Sequence, residues 1–273
     1  MLKKFFSFVF LLFAAEAAFA QDAGTTPKDS IAADTLSRYK KILLIPYNPM
    51  MHLSDADPDI AEYSERNVDV VRAIFRRGIL QNLSGALNDE VCSTYPLGAD
   101  ISKESQKELD MIYGSLNYAM DTIYPIAHPQ PDSVKSKSAG QAVKSLFAKN
   151  KTPKVKEVHD LKYMNIILTH PVILTKLAEK YNTDLFVFLN QFEIKTHYDD
   201  CLDLPLKIYR RELKVHYSVF DVSGKQLYGD VAVVNFPSNS NDINDIMMRN
   251  FPKISDLMVK TIRPILKTKM KQD

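Results

Sequence analysis

The sequence predicts an α/β fold, a mixed sheet with an antiparallel hairpin, flanked by amphipathic helices. Three observations carry that expectation. Two runs, Lys41-Ile42-Leu43-Leu44-Ile45-Pro46 and Asp184-Leu185-Phe186-Val187-Phe188-Leu189, are apolar without alternation, the pattern of strands buried on both faces. Between them Val68, Val71, Phe75, Ile79, Leu83 and Leu87 recur at helical spacing, with Ile60 ahead of them and Arg66, Arg72 and Arg76 off the stripe. Later, Leu213, Val215, Tyr217 and Val219 alternate with Glu212, Lys214, His216 and Ser218, as in a half-exposed strand. Asp221-Val222-Ser223-Gly224 then gives a turn, and Leu227 to Phe236 a returning partner.

Taken in order, the chain opens with the basic Met1-Leu2-Lys3-Lys4, an apolar run from Phe5 to Phe13, and Ala18-Phe19-Ala20. That is the layout of a secretory signal peptide over residues 1–20, with Gln21 as the mature N-terminus and a periplasmic or secreted destination. The apolar run is well short of the roughly 20 residues that span a bilayer, no later stretch approaches that length, and no cysteine near the cleavage site offers a lipid anchor. Residues 21–37 read as a flexible arm, and 38–270 as a single α/β domain. Asp57-Pro58 is expected to open one long helix, Asp57 capping it, that runs to Leu87. Val91 to Tyr95 suggests a short strand. Ser105-Gln106-Lys107-Glu108 has the capping-box form, ahead of a helix carrying Leu109, Ile112, Tyr113, Leu116 and Met120.

Pro125, Pro129 and Pro131 interrupt regular structure, and from Ser133 to Lys156 lysine recurs with no acidic residue, so about 125–160 reads as a mobile basic insertion. Thr169-His170-Pro171 starts a short helix that ends at Asn182. The second apolar run follows as a central strand expected to pass beyond the core from Asn190 to Lys195. The closing helix, after Asn241-Asp242, carries Ile243, Ile246, Met247, Ile254, Leu257, Met258 and Ile262, with Pro252 and Pro264 dividing or kinking it.

Composition narrows the function. Lys plus Arg number 35 against 33 Asp plus Glu, a formal charge of +2, so nothing in the total points to nucleic acid. Phosphate-loop, dinucleotide, nucleophile-elbow and zinc-site motifs are missing, and the eight glycines supply little of the tight backbone that nucleotide sites use. No cofactor is expected. Cys92 and Cys201 leave two readings open, one disulfide or two separate thiols.

Two clusters hold possible metal ligands. In Ser54-Asp55-Ala56-Asp57-Pro58-Asp59, carboxylates at alternate positions (Asp55, Asp57 and Asp59) offer hard oxygens to Ca²⁺ or Mg²⁺. Ile60 and Arg66 stand where an EF-hand loop needs glycine and glutamate, and helix capping explains the same residues without a ligand. In His197-Tyr198-Asp199-Asp200-Cys201, neighbours on an extended chain point apart, so a polar loop is the better account. The lysine-rich insertion offers weak contact with anionic lipid or glycan, although solvation alone explains a charge run. Asp29-Ser30-Ile31, Asp34-Thr35-Leu36, Asp121-Thr122-Ile123 and Asp132-Ser133-Val134 match the short Asp-Ser/Thr-apolar acceptor for O-glycosylation in Bacteroidetes.

The strand Lys41 to Pro46, the helix through Leu80, the run from Asp184 to Leu189, the hairpin Leu213 to Val234 with its Asp221-Val222-Ser223-Gly224-Lys225 turn, and the closing helix form a pattern. It resembles the envelope α/β domains of the TolB N-terminal, curli-secretion CsgG and penicillin-binding-protein activator LpoB group, over residues 40 to 120 and 165 to 267. The chain departs from them in its long insertion and in lacking a lipobox cysteine. The resemblance implies a non-catalytic binding or assembly component of the bacterial cell envelope with a protein partner. The alternative is a divalent-cation-dependent hydrolase using the acidic loop after the first strand, where open α/β sheets commonly hold ligands.

Overall fold

Lys41 to Ile45 forms the strand that the apolar run predicts, β1 (Lys40–Ile45), with Ile42 to Ile45 all buried. The computed structural model describes residues 40–88, 92–99, 102–123 and 162–269, all within the compact unit Arg38–Asp273. The signal peptide, arm and basic insertion expected from the sequence all fall outside the described residues.

After a 3-10 turn at Pro49–Met51 come β2 (His52–Ser54), α1 (Asp57–Tyr63), α2 (Val68–Leu87), β3 (Cys92–Pro96), α3 (Lys103–Tyr113) and β4 (Leu116–Thr122). Beyond the insertion are β5 (Lys162–Leu168), α4 (Val172–Tyr181), β6 (Leu185–Asp203), β7 (Ile208–Asp221), β8 (Gln226–Pro237) and α5 (Ile243–Lys269). The main sheet runs β3-β1-β6-β7-β8, with β2 also on β6. β1 is parallel to β3 and β6, β2 is parallel to β6, and β7 lies antiparallel between β6 and β8. β4 and β5 form a separate antiparallel pair. The α/β class, the mixed sheet, the β7–β8 hairpin and the flanking helices are as the sequence predicts.

Two apolar layers sandwich the sheet. On one face Ile42, Leu44, Val187, Phe192, Val215 and Tyr217 meet Val71, Phe75 and Ile79 of α2 and Ile254, Met258 and Ile262 of α5. On the other, Leu43, Ile45, Phe186, Phe188 and Phe220 meet Leu109 and Ile112 of α3, Ile173, Leu174 and Leu177 of α4, and Ile166 of β5. Each buried side chain of this size contributes about 1.5–3 kcal/mol of transfer free energy, so both layers are needed to hold the central strands.

Several expectations are corrected. The helix from Asp57 to Leu87 is two helices. Glu65 adopts φ 51° and the Arg66 N–H reaches back to the Ala61 carbonyl at 2.9 Å, a left-handed stop made without glycine. Asn67 caps the second piece, its side chain accepting from the Asp69 N–H. Asp57 is not a cap: Ala56 holds that position and Asp57 is inside the first turn, because its carboxylate is engaged elsewhere. Ser102, not Ser105, caps α3. That helix stops at Tyr113 before Gly114, and Leu116 and Met120 lie on β4, whose pairing partner β5 is supplied from across the insertion. Asp121-Thr122-Ile123 therefore sits at a strand end, whereas the other three acceptor-like tripeptides fall outside the described residues.

β6 does not leave the core at Asn190. A bulge between Leu189 and Gln191 keeps it paired, with Phe192 and Ile194 buried, and the strand continues through His197 to Asp203 where a loop was expected. Nor is β7 half-exposed near its end, because β5 crosses its second face. His216 Nδ1 accepts from the Met164 N–H at 2.9 Å, and the Ser218 hydroxyl donates to Asn165 Oδ1 at 2.8 Å. Helix α5 runs unbroken through Pro252 and Pro264.

Candidate functional site

The acidic loop follows β2, at the end of the sheet toward which β1 and β3 point. Its three carboxylates fan out to separate partners. Asp55 accepts from the Thr196 N–H at 2.9 Å and from the Thr196 hydroxyl at 3.0 Å. Asp59 takes Arg211 Nη2 at 2.6 Å, and that guanidinium also reaches Asn241 Oδ1 at 2.6 Å. Asp57, 1% exposed at its side chain, is held between His52 Nε2 (3.2 and 3.1 Å to its two oxygens) and Arg72 Nε (2.8 Å). Burial pushes the Asp57 carboxyl up, but the hydrogen bonds from His52 and Arg72 outweigh it, and its pKa is lowered from the ordinary carboxylate value. Burial likewise pulls Arg211 down from the usual guanidinium range, against the opposing charges of Asp59 and Asp55.

Behind Asp57 a relay continues inward. Tyr47 and His52 share a hydrogen bond, Oη to Nδ1, of 3.0 Å. Burial holds the Tyr47 phenol well above its normal pKa, so it keeps its proton and donates to Nδ1, which leaves the His52 hydrogen on Nε2 facing Asp57. The imidazole stacks on Phe192 at 4.8 Å between ring centroids, with Phe75 at 6.5 Å on a near-parallel plane. Tyr47, His52 and Asp57 are all buried, and the relay fixes the loop against the sheet. Among the described residues, no group of three or more His, Cys, Asp or Glu side chains converges in a way that could hold a metal ion.

Open space lies instead along the outer flank of α2. One cavity of about 410 Å³ is walled by Val70, Ala73, Ile74 and Leu97. A second, of about 330 Å³, is floored by Tyr47 and His52 and shares Asp69, Ala73 and Arg76 with the first. Arg76 stands at their junction with its cation fixed: Nε donates to the Tyr47 carbonyl at 2.7 Å, Nη2 bonds the Tyr113 hydroxyl, and the guanidinium lies 5.9 Å from the centre of that ring. The Tyr113 hydroxyl passes its hydrogen to the Pro46 carbonyl at 2.9 Å, and burial raises its pKa. Arg72 and Arg77 are exposed on the same helix. The arrangement is a groove with apolar walls at Val70, Ala73, Ile74 and Leu97, at whose junction the fixed Arg76 cation and the Asp69 carboxylate both stand.

Sequence reasoning placed Arg72 and Arg76 on a wet helix face but did not find the groove, and it missed Tyr47 and His52. A spacing of five residues from Tyr47 to His52 and from His52 to Asp57 belongs to no regular period. In the second cluster, His197 lies 3.5 Å from Glu212 across β6 and β7 and 4.0 Å from Asp199, and Asp200 pairs with Arg210 at 2.6 Å. Cys92 is buried and Cys201 exposed.

No family model matches the chain, and no curated protein matches it. Among solved structures it is similar to the lipoprotein GNA1162 from Neisseria meningitidis, at 13% identity and a TM-score of 0.33, over 84% of this chain and 99% of that one. Among the described residues, no helix is long and apolar enough to cross a membrane.

Proposed function

We propose that this chain is an exported, non-catalytic binding or assembly component of the bacterial cell envelope, cleaved after Ala20, that docks an acidic, partly apolar segment of an envelope protein along α2. The observation that carries the reading is the Arg76 guanidinium, immobilised by Tyr47 and Tyr113 where an apolar-walled cavity meets a second one lined also by Arg72. A cation held in advance lowers the ordering cost of binding a carboxylate. The dispersal of Asp55, Asp57 and Asp59 onto protein partners favours this reading over cation-dependent hydrolysis.

The test places a photo-crosslinking residue at Val70 in cells making the full chain. A recurrent envelope adduct is expected, abolished by Arg77→Glu, together with a mature chain that begins at Gln21. Adducts of random size, indifferent to Arg77→Glu, would refute the groove. A chain recovered with Met1 intact would refute export.

A further inference from the structure

Strands β6 and β7 run on past the rest of the sheet. β8 ends at Pro237 opposite Arg210, so beyond that pair the two strands continue as a hairpin closed by Leu204-Pro205-Leu206-Lys207. The turn is held in shape. The Leu206 N–H donates to Asp203 Oδ1 at 3.1 Å, the Lys207 N–H to the Leu204 carbonyl at 3.2 Å, and Lys207 takes φ 51°. Below it Asp200 holds Arg210 at 2.6 Å, and the Tyr198 and Tyr209 rings meet edge to face at 5.2 Å. On this frame Tyr198, Leu202, Leu204 and Leu206 are 69%, 55%, 78% and 70% exposed. Turn apices are ordinarily built from polar and small residues, and an apolar cluster left on a surface marks a contact.

The tip is also acidic. Asp199, Asp200 and Asp203 stand against Lys207 and Arg210, and the Asp199 side chain is 89% exposed. That balance opposes an anionic bilayer. The α2 groove has the opposite balance, with Arg72, Arg76 and Arg77 against one carboxylate, Asp69. Arg72 is held by Asp57, but Arg76 bonds neutral oxygens of Tyr47 and Tyr113, which do not offset its charge. A chain's own tip does not reach its own groove. From Phe192, which pairs with His52 on the floor of the second cavity, β6 runs on to Asp203, roughly 30 Å further out. We propose that the hairpin tip of one copy seats in the α2 groove of a second copy, its leucines on Val70, Ile74 and Leu97 and its aspartates toward Arg76 and Arg77. The inference rests on the reading of α2 as a docking groove and names its occupant. Two different patches meet in such a contact, so it repeats from copy to copy into a ring or a filament.

The chain contains no tryptophan, so Leu204→Trp places a lone fluorophore at the tip. Its emission is followed while a tip-blocked chain, Leu204→Asp with Leu206→Asp, is added. Both positions are exposed, and circular dichroism checks the fold. A saturable blue shift is expected, because the titrant lacks a tip but keeps its groove. Adding Ala73→Glu to the titrant, at an exposed residue lining both cavities, sets a carboxylate against the incoming aspartates and should weaken binding about tenfold or more. In sedimentation, tip-blocked and Ala73→Glu chains mixed together should stop at a one-to-one pair. The proposal is overturned if the emission stays flat, if Ala73→Glu leaves the titration unchanged, or if phosphatidylcholine vesicles shift the emission and the titrant does not. A flat titration beside a recurrent Val70 adduct to another protein removes the second copy and keeps the groove. A flat titration without such an adduct removes both.

Discussion

Replacing Asp57 with alanine removes two charge-assisted hydrogen bonds whose consequences differ. Arg72 is 44% exposed at its side chain and turns back to water, so its bond contributes about 1 kcal/mol or less. His52 is 1% exposed and stacked on Phe192, so its Nε2–H is stranded at a cost of about 1–3 kcal/mol. The sum is about 3 kcal/mol, or a fall in Tm of about 6–12 °C for a protein of this size. The sign with pH follows from the lowered folded-state pKa. The Asp57 contribution is fully present above the unfolded value near 3.8 and is lost as pH falls through the lower folded value. Urea unfolding of the wild type and Asp57→Ala, at neutral pH and stepwise into acid, should show a constant gap that closes in acid. Histidine and arginine are not stabilising this carboxylate if the neutral gap is below about 0.5 kcal/mol, the scale of an ordinary surface substitution, or if the gap widens in acid.

Three further outcomes follow from the packing. Gly229→Ala should cost about 1–3 kcal/mol in urea melts, because the new Cβ would stand 2.0 Å from the Tyr163 hydroxyl, which lies across β8 at the point where the side chain is absent. Arg211→Met should destabilise by about 2 kcal/mol, since Arg211 is buried and bridges Asp59, Asn241 and Thr196. Asp59→Asn, at a 59% exposed side chain, should cost well under about 1 kcal/mol in the same assay. A maleimide should modify the exposed Cys201 in the folded chain and reach the buried Cys92 only after denaturation, and reductant should leave the unmodified mass unchanged.

The fold was legible where burial is two-sided or strictly periodic. The runs at Ile42–Ile45 and Leu185–Leu189 identify the centre of the sheet because no exposed position interrupts them. The Asp221–Gly224 turn identifies its hairpin because Gly224, at φ +83°, takes a conformation that other residues resist. Boundaries set by tertiary partners were not legible. The α1–α2 break depends on Glu65 in a left-handed conformation, and β4 is a strand because β5 arrives from forty residues away in sequence. The acidic loop was found, but its meaning was not, since a carboxylate that caps a helix, one that holds a cation and one that pins a distant strand have the same local spelling. Thr196 and Arg211, which decide the matter for Asp55 and Asp59, are more than a hundred residues further on.

The bulge in β6 shows the same limit. Along a regular strand Asn190 and Gln191 face opposite ways, and two amides after a wholly apolar run read as departure from the core. The bulge turns both toward β5, where the Asn190 side chain donates to the Met164 carbonyl and the Ser218 hydroxyl, each at 2.8 Å. One extra residue in the ladder thus converts a strand end into a lining. It inverts no packing downstream, because Phe192 and Ile194 fall back onto the α2 side. Flattening the bulge with Asn190 retained would carry Phe192 and Ile194 to the polar face, whereas deleting Asn190 would restore simple alternation and keep both on the α2 side. The unpaired Gln191 oxygen exists because the chain accommodates this insertion, and its neighbour His216 shares the same buried row. Bulges that re-aim side chains in this way recur at sheet edges and beside functional sites.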